Sequence, residues 1–216
     1  MGSVVSFKGA LMILTVRAPR HRAVRLTGVA GLSLALLTLG VPGIASAATP
    51  TCFGKRATIV GQVGVERIDG TAGADVIVGL AGRQIISGGD GDDLICGRGG
   101  SDVIDGGAGD DRMSGGQGDD FITGVDGDDL LRGGPGADSL NFGDEEDGDD
   151  VVVGGPGNDD LHAGVGADRL FGNGGDDFLA EGEVDSPLID LFSGGIGVDT
   201  CFAGAEDEVR SCEILS

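Results

Sequence analysis

The sequence contains no tryptophan or tyrosine and only eight phenylalanines among its 216 residues. Its first acidic residue is Glu66, yet acidic residues outnumber basic ones by 36 to 14. This negative charge excludes nucleic acid and an anionic membrane surface as natural partners, and it attracts cations instead. Few aromatic residues with a high net charge are also typical of disordered chains. Disorder of the whole chain without a cation is therefore one interpretation of the composition.

The N-terminal segment is basic and then apolar. Arginines between positions 17 and 25 precede an apolar stretch from Leu26 to Ile44, and Ala45-Ser46-Ala47 supplies the small residues of a cleavage site. The pattern predicts that residues 1–47 are a signal peptide and that the remaining chain is secreted into the extracellular space, free of the membrane after cleavage. A membrane anchor is the alternative, because the apolar stretch approaches the length needed to span a bilayer.

Cysteine and histidine are scarce, with four and two residues respectively. An even number of cysteines in an exported chain predicts disulfides, although four cysteines allow three pairings. Cys201 and Cys212 bracket the last repeat described below, so we expect that pair, and Cys52 would then bond to Cys96. Zinc binding is the alternative, but the sequence has no Cys-x-x-Cys and only His162 follows the N-terminal segment.

From Gly61 onward the sequence repeats every nine residues, and a fixed period of this kind dictates architecture. Clear copies run from Gly88 to Cys96, from Gly106 to Ser114 and from Gly115 to Thr123. Fifteen units can be counted through residue 202, with spacers at 142–144 and 181–184. Position eight of every unit is apolar or cysteine, whereas position seven is mixed. We therefore expect position eight to face inward and position seven to face outward.

Position six of the repeat is aspartate in thirteen of the fifteen units, and Glu66 and Gln84 are the exceptions. A single apolar side chain per nine residues is a thin core, and a column of aspartates repels itself. A hard divalent cation with oxygen ligands would neutralise the carboxylates and join the loops. Glycines at positions one, two and four allow carbonyl groups to turn toward an ion. Multiple Ca²⁺ ions fit this chemistry better than Mg²⁺, which demands stricter geometry, or soft metals.

The units resemble the RTX, or haemolysin-type, calcium-binding repeat family, Gly-Gly-x-Gly-x-Asp-x-U-x with U apolar. The resemblance implies an all-β fold, a parallel β-roll (a β-helix or solenoid), with two units per coil and each ion shared by units n and n+2. It implies residues 61–202 as the roll, 48–60 as an N-terminal cap and 203–216 as a C-terminal cap.

The resemblance also implies the metal ligands. On one edge of the roll they are Asp75, Asp93, Asp111, Asp129, Asp150, Asp168 and, less regularly, Asp190. On the other edge they are Asp102, Asp120, Asp138, Asp159, Asp177 and Asp199, and Gln84 should leave its loop without a normal site. Backbone carbonyls would come from Gly89, Gly91, Gly107, Gly109, Gly116 and Gly118. The spacer and acidic residues at 142–147 should bulge from the roll.

These observations predict a secreted, non-enzymatic protein that binds calcium ions and folds when they bind. An extracellular adhesion or matrix scaffold, with the roll as a spacer or a binding face for an unknown surface ligand, is the alternative. An accessory module of a secreted hydrolase is less favoured, because the sequence has no nucleophile elbow, phosphate loop or zinc-protease motif. His162 falls at position nine of an ordinary unit, where an exposed strand residue is expected.

Overall fold

In a computed structural model, residues 49–141, 148–162, 164–180, 190–204 and 207–214 are described. These residues form strands, turns and bends, and the described part of the chain contains no helix that is long and apolar enough to cross a membrane. The predicted bulge at 142–147 and the spacer at 181–184 lie outside the described residues. The all-β prediction is confirmed.

Two parallel sheets of nine strands each make up the roll. The first sheet contains, in spatial order, β3 (Ile59–Val60), β5 (Val76–Val78), β7 (Leu94–Gly99), β9 (Arg112–Gln117), β11 (Leu130–Arg132), β13 (Val151–Pro156), β15 (Arg169–Gly174), β17 (Leu191–Ile196) and β19 (Glu208–Arg210). The second contains β4 (Arg67–Asp69), β6 (Ile85–Asp90), β8 (Val103–Ala108), β10 (Phe121–Asp126), β12 (Ser139–Asn141), β14 (Asp160–His162), β16 (Phe178–Ala180), β18 (Thr200–Phe202) and β20 (Glu213–Ile214). Each coil therefore gives one strand to each sheet, which confirms the parallel β-roll with two repeats per coil.

The register between coils follows the repeat. Leu94 of β7 pairs with Arg112 of β9, which is two units later. The pairing persists across both spacers: Leu130 pairs with Val151, and Arg169 pairs with Leu191. The inward-facing positions on either side of the spacers thus stay in register, whereas a slip of one residue would turn them to the outside.

The core is the column of position-eight side chains, as predicted. Every member of this column is buried, from Ile68 at one end to Phe192 and Cys201 at the other. Arg67, Arg112 and Arg169 at position seven are exposed. Because each coil contributes two apolar side chains to a single file, every coil packs only against its neighbours, as in other solenoids.

Many strands are longer than the sequence predicts. Positions seven to nine of a unit, such as Leu94-Ile95-Cys96, predict a very short strand, but β7 continues from Cys96 into the next unit and ends at Gly99. The reason is that loops in successive coils have the same conformation, so their backbones also pair. Gly89 is in register with Gly107, and Gly91 N–H donates to the carbonyl of Ala108 at 2.6 Å.

Both predicted disulfides are present, Cys52–Cys96 and Cys201–Cys212. The zinc alternative is wrong, because all four cysteines are oxidised in these pairs. The first disulfide joins a short antiparallel hairpin, β1 (Thr51–Cys52) and β2 (Lys55–Arg56), to β7. In the tail, β19 and β20 pair with β17 and β18, so the described part of 203–214 extends both sheets by one strand.

Candidate metal centre

The position-six side chains form two files, one along each edge of the roll. Edge A comprises Asp75, Asp93, Asp111, Asp129, Asp150, Asp168 and Asp190. Edge B comprises Gln84, Asp102, Asp120, Asp138, Asp159, Asp177 and Asp199. Glu66, at position six one coil before Gln84, is exposed and is not a member of the buried file. Every side chain of the two files is buried. The folding pattern places them there because a residue two positions before the inward-facing position eight points to the same side of the backbone.

From Asp93 onward on edge A and from Asp102 onward on edge B, one carboxylate oxygen of each aspartate accepts a hydrogen bond from a backbone N–H of the previous coil. The backbone N–H of Asp93 donates to Oδ1 of Asp111 at 2.7 Å, and that of Asp102 donates to Oδ1 of Asp120 at 2.8 Å. The ladder continues across the first spacer, where Asp129 N–H donates to Asp150 Oδ1 at 2.7 Å. The sequence-predicted ligands on each edge are therefore brought together in the order that the repeat implies, and they are linked coil to coil through backbone amides.

The other carboxylate oxygen has no protein partner in most of the described loops. Ten buried Oδ2 atoms lack a hydrogen bond, and they belong to Asp93, Asp102, Asp111, Asp120, Asp129, Asp138, Asp159, Asp168, Asp177 and Asp199. A buried charged oxygen without a partner costs free energy of folding. Ten equivalent cases at one position of the repeat fit a cation that accepts these oxygens as ligands.

Position-one glycines make room for these oxygens. A Cβ added to Gly106 would lie 2.4 Å from Oδ2 of Asp111, and one added to Gly115 would lie 2.1 Å from Oδ2 of Asp120. Neither glycine has a positive φ. The expectation that glycine is needed for backbone conformation is therefore wrong for position one, where the need is for space beside the carboxylate.

Positions two and four do require the left-handed region. Gly107 and Gly109 have φ values of 107° and 127°, and Gly116 and Gly118 have values of 115° and 119°. Gly89 and Gly91 show the same feature. Non-glycine residues rarely adopt these angles. These six glycines are the predicted carbonyl ligands, and coordination through their carbonyl groups stays a prediction.

Within the described ranges, no three carboxylate, imidazole or thiolate side chains converge tightly enough to hold a metal ion by themselves. A cation in these loops would therefore need backbone carbonyl or water oxygens in addition to the carboxylates. Calcium takes six to eight oxygen ligands, including carbonyl groups, whereas structural zinc relies on closely spaced Cys and His side chains. The available donors thus fit calcium.

Burial disfavours the charged form of the position-six carboxylates. It raises the pKa of Asp129 to about 8 against the opposing hydrogen bond from Asp111, and nearby carboxylates act in the same direction as burial. Burial likewise raises the pKa of Asp111 and Asp138 to about 7 and that of Asp120 to about 6. A divalent cation would reverse this balance, because an opposite charge nearby favours the ionised carboxylate.

A second ladder of hydrogen bonds, which was not predicted from the sequence, lies at position five. Asp110 N–H donates to Oδ1 of Asp92 at 3.2 Å, and Asp128 N–H donates to Oδ1 of Asp110 at 3.1 Å. Here the earlier coil supplies the acceptor, whereas at position six the later coil does. Asp-Asp pairs in the sequence are the signal for this arrangement. One unit alone does not show that such a side chain accepts a hydrogen bond from the next coil.

The first loop of each edge differs from those that follow. Asp75 accepts from Thr58 Oγ1 through Oδ1 at 2.9 Å, and from the N–H of Thr71 through Oδ2 at 2.9 Å. Gln84 accepts from the N–H of Leu80 through Oε1 at 2.9 Å. In these loops the protein itself thus donates hydrogen bonds to the position-six acceptor atoms. The equivalent Oδ2 atoms of ten aspartates in the loops that follow have no protein partner.

His162 lies on β14 with its Nε2 2.8 Å from Asp160 Oδ1, and its side chain is partly exposed. Its ring contacts that of Phe178, with 5.7 Å between centroids. This position at the outer surface of a strand agrees with the expectation from the repeat.

Comparisons with known proteins agree with this geometry. The family model of the RTX calcium-binding nonapeptide repeat (four copies) matches residues 60–95, 69–104, 87–122, 114–147 and 146–179. Together these matches span more than half of the chain. No curated protein and no solved structure matches the chain. With the repeat, the β-roll and the two files of buried carboxylates in agreement, the chain belongs to the RTX calcium-binding nonapeptide repeat family.

Proposed function

We propose that this protein is a secreted calcium-binding protein whose β-roll orders when Ca²⁺ binds along edges A and B. The observation that carries the proposal is the set of ten buried Oδ2 atoms without a protein partner in the described loops. Each belongs to position six of the repeat. A cation that joins these oxygens to nearby backbone carbonyls would remove their desolvation cost and neutralise the charge of both files.

The architecture supports folding that depends on the cation. Consecutive coils share one buried apolar file and backbone hydrogen bonds, but no second core layer backs them in the described residues. Raised pKa values along both edges indicate that the ionised, metal-free files oppose folding. Since a ligand that binds only the folded state stabilises it by mass action, calcium should shift the chain from disorder to the roll.

Export is part of the same proposal. The basic and apolar character of residues 1–47 predicts a signal peptide, and the two disulfides are typical of an oxidising compartment. Calcium is plentiful outside the cell, where modules of this kind bind in about the 10⁻⁴–10⁻³ M range. The chain would therefore leave the cell without its ions and order after export.

A binding or structural role is proposed in place of catalysis. The described residues after position 58 are almost entirely strands and loops of the roll, and their buried carboxylates all lie at position six of the repeat. His162 is paired with Asp160 at the outer surface, away from the buried files.

The test begins with expression of the full chain in a host that exports it, followed by sequencing of the N-terminus of the secreted product. A start at Ala48 is expected. Far-UV circular dichroism of this product, with its disulfides formed, should show a large gain of β signal on addition of calcium but not of magnesium. Isothermal titration should count about six to ten ions, since each ion is shared by neighbouring loops.

The aspartate variant D111N is matched by Q84N, which also replaces a buried position-six side chain but on a loop closed by Leu80. D111N should lower the ion count and Q84N should not. Equal β content and equal thermal stability in calcium and in chelator would overturn the proposed function.

A further inference from the structure

The first loop on each edge is closed by the protein itself. Thr71 donates to Oδ2 of Asp75 through both its N–H, at 2.9 Å, and its hydroxyl, at 2.8 Å. Leu80 N–H donates to Oε1 of Gln84 at 2.9 Å. The next members of the two files, Asp93 and Asp102, have Oδ2 atoms with no hydrogen-bond partner. The change from closed to open loops therefore occurs at the same point on both edges.

Position two of the repeat explains the difference. In the closed loops this position is Thr71 or Leu80, neither of which has a positive φ, and its N–H points to the position-six side chain. In the open loop that follows on edge A it is Gly89, with φ of 109°. Gly89 is in register with Gly107 of the next coil. The backbone of a position-two residue thus either donates a hydrogen bond to the position-six side chain of the same unit or pairs with the backbone of the next coil.

Other contacts fasten the same end of the roll without a cation. The disulfide Cys52–Cys96 joins the hairpin to β7, and Thr58 donates to Oδ1 of Asp75. Val78, at position nine of its unit, is completely buried, although its neighbour in register, Cys96, is not. This end has, therefore, a covalent link and extra apolar burial that the central coils do not repeat.

The opposite end of edge A has a parallel arrangement. Asp207 accepts from the N–H of Asp190 through Oδ1 at 3.0 Å and from the N–H of Gly204 through Oδ2. The disulfide Cys201–Cys212 lies in the same coil. Carboxylates with both oxygens satisfied by the protein thus stand at both ends of this edge, together with a disulfide at each end.

We propose that the loops of Asp75 and Gln84 bind no cation, and that residues 51–90, fastened by the Cys52–Cys96 disulfide, form a cation-independent cap on which the calcium-dependent coils fold. This inference rests on the proposed function, since it divides the roll into a part that needs calcium and a part that does not. Isolated coils of a solenoid are unstable because each depends on its neighbours. A preformed coil offers β5 and β6 as ordered strand edges, so the next coil folds against an existing template.

Hydrogen exchange with mass spectrometry tests the cap on the exported chain with its disulfides formed. In chelator, amides of 67–90 should remain protected while amides of 103–132 exchange freely. In calcium both regions should be protected. Reduction of the disulfides in chelator should remove the protection of 67–90.

Ion counting by titration tests the closed loops. T71G converts the loop of Asp75 to the glycine pattern of the open loops, and L80G/Q84D does the same on edge B. Each variant should gain one ion or, if the cap loosens, lose protection of 67–90 in chelator. V125G places a glycine at the same position of a central, open loop and should change neither quantity. D75N should keep the wild-type ion count, whereas D111N should lower it.

The outcomes separate the two proposals. If 67–90 exchanges as fast as 103–132 in chelator, or if D75N loses an ion, the cap is overturned and calcium-dependent folding of the roll still holds. If both regions are protected equally in chelator and in calcium, the proposed function itself fails.

Discussion

Edges A and B have the same position-six ladder but a different charge at position five. On edge A, position five is aspartate in four successive coils: Asp92, Asp110, Asp128 and Asp149. The corresponding residues of edge B are Ser101, Asp119, Ala137 and Asn158. The edge A aspartates line a surface groove of about 530 Å³ beside Asp111 and Asp129. The two edges thus repeat one backbone arrangement at two charge densities.

The two edges also differ in the pKa values of their buried carboxylates. Asp129 on edge A has a pKa raised to about 8 by burial, and the charges of Asp150, Asp111 and Asp110 contribute after the opposing backbone hydrogen bond. On edge B, burial raises the pKa of Asp138 to about 7 and that of Asp159 to about 6. Edge A should therefore oppose folding more strongly without a cation and attract calcium more strongly, since ligand charge tunes affinity.

Replacing a buried carboxylate should have the largest effect, and its sign should depend on calcium. In saturating calcium, D129N should lose the contribution of one ion, about 2.7 kcal/mol of unfolding free energy when calcium is 100 times its Kd. In chelator, D129N should stabilise the roll, because a neutral amide replaces a carboxylate whose pKa is raised by burial. Urea unfolding measures the effect in calcium, and the gain of far-UV β signal in the metal-free chain measures the effect in chelator.

D138N is the matched change on edge B, where burial raises the pKa to about 7 and not to about 8, and three neighbouring carboxylates contribute at each site. It should show the same signs with a smaller stabilisation in chelator. Destabilisation of equal size by D129N in calcium and in chelator would mean that the carboxylate has a purely structural role.

The pH dependence of the metal-free roll should be opposite to that of most proteins. The position-six carboxylates have folded-state pKa values above their ordinary value of 3.8, so the folded state binds more protons than the unfolded state. Stability in chelator should therefore be highest near pH 4 and fall as pH rises, until about pH 7 for Asp111 and about pH 8 for Asp129. Circular dichroism in chelator between pH 4 and 8 measures this change.

The contributions of the two edges to this pH dependence should differ in the upper part of that pH range. D129N should flatten the decline between pH 7 and 8, whereas D159N on edge B, where burial raises the pKa to about 6, should flatten it only at lower pH. A metal-free chain that gains stability as pH rises from 4 to 8 would contradict the burial of these carboxylates in the folded state.

The core and the two files could be predicted from the sequence, because positions eight and six of the repeat encode them. Position eight gave the core from Ile68 to Cys201, and position six gave the two files in the correct order. A one-dimensional period is sufficient for both, since each coil meets only its neighbours.

Contacts between coils could not be predicted in the same way. The donation from Asp110 N–H to Asp92 and that from Thr71 to Asp75 depend on where a side chain points within the loop. Position five is mixed when all units are compared, and the contrast between edges A and B emerges only when alternate units are taken separately. The longer strands could not be predicted from a single unit, since loop backbones pair only when identical loops are stacked.

Removing charge at position five should have a moderate effect, confined to edge A. The double variant D110N/D128N keeps both Oδ1 acceptors, so the ladder of position five should persist. Its calcium affinity should fall by about two- to thirtyfold, since each of the two exposed charges contributes about 0.2–1 kcal/mol. Calcium titration at low and high salt measures the change.

D119N on edge B serves as the control, because position five of the two adjoining edge B units is uncharged, Ser101 and Ala137. Its effect should be smaller than that of the double variant, and high salt should reduce the difference between them. A loss of affinity that is unaffected by salt would indicate a direct ligand role at position five.

The smallest effect should come from backbone strain at position two. Val125 on edge A and Asn173 on edge B both occupy the left-handed region, with φ of 88° and 75°. A β-branched residue is strained there by about 1–3 kcal/mol, whereas asparagine visits this region routinely. Glycine adds an entropy cost of about 0.5–1 kcal/mol. V125G should therefore stabilise the calcium-bound roll by about 1 kcal/mol, or about 2–4 °C in Tm, and N173G should leave it nearly unchanged. An equal rise in Tm for both variants would show that the gain comes from the loop type and not from the strain of valine.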